Sequence, residues 1–312
     1  MENKSLSGLI AAPFTPMHED GAVNLDVIPE YASYLIENNV NGVFLCGTTG
    51  ESFSLTNDER IAVIEQWVKS SKGELKIISH IGALCQSDLK ELAVRSRDAG
   101  ADAVAAMAPF FFKPESIESL IAYFEPLASV IPDVPFYYYN IPSMTGVSLP
   151  VHELLREVKK MIPNFVGVKY THNDLMDLQQ CMNVNGGEFE ILYGSDETLI
   201  CGLSLGVKAA VGSTYNFMAP VYNQIFESVE NGNMVEARKL QDISISVVEL
   251  LFKYGGPVIA GKAIMEMTGV PCGPVRLPLN PMTESDKALL YQELIDIGFF
   301  EEVKSIHESL NK

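Results

Sequence analysis

What most constrains this chain is a rhythm: eight short, apolar, β-rich runs recur along it, separated by stretches with helical patterning. The runs are GLIAAPFTP from Gly8, GVFLCG from Gly42, KIISHIG from Lys76, AVAAMAP from Ala103, FYYYNIP from Phe136, FVGVKYT from Phe165, EILYGS from Glu190 and AAVGSTYN from Ala209. Continuous apolar runs fit strands covered on both faces, and helical crossovers between them make those strands parallel. Their starts lie about 20 to 35 residues apart, the length a βα unit needs. Eight such units closing on themselves predict an α/β fold, the (β/α)8 or TIM barrel, within the 312 residues available. An open doubly wound sheet is the second choice. It normally carries a glycine-rich dinucleotide loop after its first strand, and APFTP is not one.

From about Ala219 onward the patterning is helical: VYNQIFESVENG, then NMVEARKLQDISISVVELLFKYG, then a loop rich in Gly and Pro before KALLYQELIDIGFFEEVKSIHESL. Residues 1–218 are therefore expected to form the barrel and carry the active site, with residues 219–312 as C-terminal helices packed on it. No low-complexity linker separates the two, so a single structural unit is expected. The net charge of -18 argues against nucleic acid as a partner, because tracking phosphates needs clustered Lys and Arg. The five cysteines are odd in number and lack the spacing of a zinc site or a disulfide framework, so reduced, buried thiols are expected. The start, MENKSLSGLI, has no long apolar leader core, and no run approaches eighteen apolar residues. A soluble cytoplasmic protein with no membrane partner is the expectation.

In such barrels the C-terminal ends of the strands form the active face. Lys169 ends the run FVGVK, where apolar neighbours and alternation place it inward, a costly position for an ammonium group. Desolvation lowers a lysine pKa and frees some amine to attack a ketone, although a structural ion pair would also explain a buried lysine. Lys113 also lies near a strand end, but past FFF and before Pro114, which suits solvent better. Tyr137 and Tyr139 share one face of the fifth strand and Tyr138 takes the other; if the shared face is inward, Tyr139 is nearest the mouth. A tyrosine stripe is also ordinary core filling.

Gly47-Thr48-Thr49-Gly50-Glu51 could gather backbone N–H groups and hydroxyls around a carboxylate, though as a turn it is unremarkable, and Thr56 to Glu59 reads as a capping box. Gly194-Ser195-Asp196-Glu197 and Gly212-Ser213-Thr214 are ambiguous in the same way, since Asp196 and Glu197 also suit the start of a helix. Gly256 to Lys262 has the spacing of a phosphate loop, but Pro257 lacks an N–H, Ala263 stands where a hydroxyl belongs and no strand precedes it. His80 and His172 could join Asp196 or Glu197 around a metal, yet no two histidines have ligand spacing, so no metal is expected.

Together GTTGES at 47–52, YYNIPSMTG at 138–146 and GVK at 167–169 resemble the dihydrodipicolinate synthase and N-acetylneuraminate lyase superfamily. The resemblance covers nearly the whole chain. It implies a Schiff-base lysine at Lys169, a proton-relaying tyrosine at Tyr139, a carboxylate site at Thr48 and Thr49, and a homotetramer. The superfamily's synthases carry Arg where this chain has Met144, which lacks a bidentate partner for a second carboxylate. YGSDE and VGSTYN resemble the sialic acid lyase subgroup, which implies substrate contacts from Thr171, Gly194, Asp196, Glu197 and Ser213. Members often carry a tyrosine after strand four that reaches a neighbouring subunit; Phe110, Phe111 and Phe112 stand here instead, so Tyr139 is expected to work with Ser, Thr or substrate hydroxyls. The implied reaction is reversible aldol cleavage of N-acetylneuraminate to N-acetylmannosamine and pyruvate, with no cofactor. The alternatives are an aldolase or dehydratase acting on another 2-keto-3-deoxy acid, and a keto-acid sensor without turnover.

Overall fold

The structure, a computed structural model, describes residues 6–310. Its centre is a closed barrel of eight parallel strands in chain order, β1 (Gly8–Ala11), β2 (Gly42–Leu45), β3 (Lys76–His80), β4 (Ala103–Met107), β5 (Phe136–Asn140), β6 (Phe165–Tyr170), β7 (Glu190–Tyr193) and β8 (Ala209–Gly212). Each strand begins at the residue where its apolar run begins, and β1 closes the barrel by pairing Gly8 to Ala11 with Ala209 to Gly212 of β8. Inward residues such as Ile10, Phe44, Ile78, Ala105, Tyr137 and Val211 fill the lumen. The outward residues join helix faces in a second, larger core that includes Trp67, Phe124 and Tyr170. Two apolar strand faces are why the runs show little polar alternation.

The helix after β8 spans Tyr215–Glu230, crosses the expected boundary at 218, and breaks at Met218, two residues before Pro220 removes a backbone donor. Met234–Lys253 follows it. The sequence reading then expects loop, but Pro257–Met267 is a helix. Proline at its start costs no hydrogen bond there, and Ala260, Ala263, Ile264 and Met265 are buried, with the helix packed on its helical neighbours. The final segment divides into Glu284–Asp296 and Phe299–Leu310 at Gly298, whose φ of 73° is left-handed. Among the described residues no single helix is long and apolar enough to cross a membrane. The bent pair Met234–Lys253 and Pro257–Met267 passes on length and composition, but places Leu240, Val247, Leu251 and Ile264 in the core.

All five cysteines are free. Cys46, Cys181 and Cys272 are buried as expected, whereas Cys85, the residue before the helix Gln86–Ala99, is exposed and Cys201, within the helix Leu199–Ser204, is half-buried.

Candidate active site

Lys169, near the C-terminal end of β6, lies inside the barrel with 5% of its surface exposed. A bulge puts it there. Phe165 pairs with Phe136, and both face the helices; Gly167 then pairs with Tyr137, which leaves Val166 as an extra residue in β6. Without that extra residue, the alternation that turns Phe165 outward would turn Lys169 outward as well. The lysine nitrogen stands 4.0 Å from the centre of the Phe44 ring and 4.1 Å from that of Tyr139. Burial lowers its pKa to about 7, and the Asp196 carboxylate offsets part of the drop. Near neutral pH, much of this amine is an uncharged nucleophile.

Tyr139 pairs in register with Lys169 across β5 and β6. Its hydroxyl lies 3.3 Å from Thr48 Oγ1. Burial pushes it up to about 12 while the Thr48 and Thr171 hydroxyls pull the other way, so it stays a neutral phenol. Thr171 acts by proximity, since its own Oγ1 is buried without a hydrogen-bond partner among the described residues. Tyr137 shares the inward face but sits deeper, donating to Glu190 Oε2 at 2.7 Å at the start of β7. Tyr138 packs outward.

The turn after β2 carries Thr48 and Thr49, both half-buried at the mouth. It closes through Glu51 N–H to the Thr48 carbonyl at 3.1 Å and Ser52 N–H to the Gly47 carbonyl at 3.3 Å. Both carbonyls are thereby occupied, and the two hydroxyls remain at the mouth, an arrangement suited to an anionic group.

Across the mouth Asp196 is buried, accepting from Thr214 N–H at 2.9 Å and Thr214 Oγ1 at 2.6 Å. It opens the short helical turn Asp196–Thr198, as a first-turn acid, but its carboxylate binds Thr214 just past β8. Burial lifts its pKa to about 6, against the pull of the Thr214 hydrogen bonds and Lys169. Gly212 makes room: a Cβ there would lie 2.2 Å from Asp196 Oδ1. Gly194 does the same beside Thr171, where a Cβ would lie 2.0 Å from Oγ1. Ser213 is half-buried and its carbonyl accepts from Asn216 Nδ2 at 2.7 Å; Glu197 is exposed at the rim. Lys169, Tyr139, Thr48, Thr171 and Asp196 thus form the inner set, with Thr49, Gly194, Glu197 and Ser213 around it.

Beside this set opens a vestibule of about 410 Å³, lined by Thr48, Phe53, Met107, Phe110, Met144 and Leu279 among others. One wall of the mouth is therefore apolar and the other acidic. Lys113 is exposed, as its position before Pro114 implies. Lys262 is no phosphate ligand: it is buried 2.7 Å from the Glu51 carboxylate, and its ammonium donates to the Pro274 carbonyl. Among the described residues no three His, Cys, Asp or Glu groups could hold a metal, and His172 lies outside the barrel against Tyr170.

Sequence reasoning passed over Phe44 and named Thr214 and Glu51 only within ambiguous turns, without a role. Phe44 was findable, since alternation in β2 places it with the inward residues, and Thr214 adjoins Ser213. Glu51 carried no signal, because its partner is over 200 positions away.

The dihydrodipicolinate synthetase family matches residues 5–296. This chain belongs to that family. N-acetylneuraminate lyase A of Xenopus laevis is 42% identical over 286 residues, covering 91% of this chain and 93% of that one. The N-acetylneuraminate lyase of Gallus gallus is 44% identical over 285 residues, covering 90% and 92%. Among solved structures, Proteus mirabilis N-acetylneuraminate lyase superposes with a TM-score of 0.92 at 38% identity, covering 95% of this chain and all of that one.

Proposed function

We propose that this protein is an N-acetylneuraminate lyase that works through a Schiff base on Lys169. The observation that carries the mechanism is a buried amine, lowered to about 7, beside a tyrosine hydroxyl that meets Thr48. The Lys169 amine attacks the C2 ketone of the open-chain substrate and water leaves, giving a protonated imine. Thr48 and Thr49 hold the adjoining carboxylate. When the C3–C4 bond breaks, its electron pair moves into the iminium and leaves an enamine. The C4 hydroxyl proton passes to Tyr139. A phenol raised to about 12 is a poor standing base, so as it receives one proton it passes its own to the substrate carboxylate, directly or through the Thr48 hydroxyl, which gives up its own proton in turn. N-acetylmannosamine departs, the enamine takes a proton at C3, and hydrolysis returns pyruvate and the free amine. Asp196, Glu197, Ser213, Thr171 and Gly194 face the polyol end. No metal or organic cofactor enters any step. A homotetramer in the cytoplasm is part of the same proposal, resting on the family resemblance and the unpaired thiols.

The direct test is pyruvate release from N-acetylneuraminate beside a panel of other 2-keto-3-deoxy acids. Release from a different acid alone would move the substrate assignment. Borohydride with pyruvate is expected to inactivate the protein, with the adduct on Lys169 by peptide mass mapping; an adduct on Lys113 would end the Schiff-base assignment. Condensation of pyruvate with aspartate semialdehyde is expected to be negligible, because Met144 offers no partner for that carboxylate.

A further inference from the structure

His80 belongs to no step above, yet it is fully buried at the end of β3, against the Tyr139 ring and the residue that leads into the Thr48 turn. Its Nδ1 lies 2.8 Å from the carbonyl of Cys46, which can only accept, so Nδ1 carries the hydrogen. Cys46 has a φ of 53°, a left-handed conformation that costs free energy without glycine and persists where surrounding contacts enforce it. That residue directly precedes the Gly47-Thr48-Thr49 turn. The ring's other side lies edge-on to Tyr139, centroids 5.7 Å apart at 89°, and 6.0 Å from Phe44 beneath Lys169.

A buried guanidinium closes the circuit. Arg60 donates through Nη2 to the His80 carbonyl at 2.6 Å and through Nη1 to the Gly82 carbonyl at 3.0 Å, while Cys46 Sγ approaches the Arg60 carbonyl at 3.8 Å. The end of β2, the end of β3 and the helix Asn57–Ser71 are thereby tied at one point. Burial, with the Arg60 and Lys169 charges, drives the His80 pKa down to about 3, against the pull of the Cys46 carbonyl, so the ring stays neutral near pH 7 and the Cys46 contact selects its tautomer. Its Nε2 is buried without a partner among the described residues, which disfavours a purely packing role: an apolar side chain would avoid that unmet acceptor.

We infer that His80 is a positioning residue, whose Nδ1–H holds the Cys46 carbonyl and so sets Thr48 against Tyr139. This rests on the reaction proposed above. The test compares three variants of the full chain. His80→Asn places an amide donor near the Nδ1 position, His80→Gln moves it away, and His80→Leu removes it. Each is assayed for pyruvate release, for the pyruvate concentration giving half-maximal borohydride trapping, and for thermal midpoint. His80→Gln and His80→Leu are expected to lose on the order of tenfold or more in turnover and to need more pyruvate for trapping, the scale of a displaced catalytic group. His80→Asn is expected to recover most of both, whatever its midpoint. The inference fails if Asn and Gln lose alike, or if Gln and Leu keep parental turnover and half-saturation. Should Leu not fold, the Asn and Gln pair still decides it. Failure of the parent protein to trap pyruvate would instead remove the reaction itself.

Discussion

In the proposed reaction two residues divide the chemistry, and a substitution at each separates binding an imine from breaking a bond. Tyr139→Phe keeps the ring against Phe44 and Lys169 but loses the hydroxyl that meets Thr48. Turnover is expected to fall by about 10²-fold or more, the worth of a positioned acid–base group, while pyruvate is still trapped on Lys169. Near-normal cleavage would remove the relay role, and Tyr137 could not inherit it, because its hydroxyl is committed to Glu190. Lys169 also has a cost that stability should reveal. Burial lowers its pKa from the ordinary 10.5 to about 7, so between those values the unfolded chain holds the proton more tightly than the folded one. Stability therefore rises with pH across that window. Lys169→Met is expected to melt on the order of 5 °C higher than the parent at pH 7. The gap should narrow as pH approaches 10. A gap that widens with pH would show that the ammonium is not penalised.

At the scale of elements, the site depends on ties between segments distant in sequence. Glu51 is the clearest. Its φ of 55° places a buried carboxylate 2.7 Å from Lys262 on the helix Pro257–Met267, though aligned short of a full hydrogen bond on that oxygen, and its other oxygen accepts from Arg276 N–H at 3.0 Å. Arg276 in turn pairs with Glu59, which also closes the capping box with Thr56. The turn bearing Thr48 and Thr49 is thus held by the helix Pro257–Met267 and the loop that follows it. Glu51→Gln strands the Lys262 ammonium and is expected to destabilise the protein by about 3–5 kcal/mol in denaturant unfolding. A loss under about 1 kcal/mol would mean that water reaches the pair and screens it. The capping box was legible from Thr56 and Glu59 alone because it spans one helical turn. The Glu51–Lys262 tie was not, because no local rule relates positions so far apart.

For the whole molecule, the proposed assembly predicts a contact at the exposed aromatics after β4. Phe111 and Phe112 stand 70% and 86% exposed after β4, with ring centroids 5.0 Å apart. Paired exposed aromatics are expensive in water and favour burial against another surface. Sedimentation is expected to show a species larger than one chain, and Phe111→Ser with Phe112→Ser is expected to weaken that assembly. An unchanged sedimentation coefficient in the double variant would place the contact elsewhere. The net charge of -18 adds long-range repulsion between copies, so association should strengthen with salt.

Taken alone, the sequence determined the eight strands, their starts and their closure, because buried parallel strands need continuous apolar runs and each crossover needs a helix's length of chain. It also located Lys169, Tyr139, Thr48 and Asp196 at strand ends, where a barrel concentrates its chemistry. It misread Pro257–Met267 as loop, because flanking Gly and Pro look like turn signals until the neighbouring helices supply a surface to bury it. The sequence reading placed Lys169 inward, where it lies, but the tertiary structure supplied the reason, because one extra residue, Val166, shifts the pairing of β6 against β5. Tertiary structure alone decided that the Asp196 carboxylate binds Thr214, and that Lys262 answers Glu51. Register and long-range pairing are set by neighbours in space, and a linear pattern does not contain them.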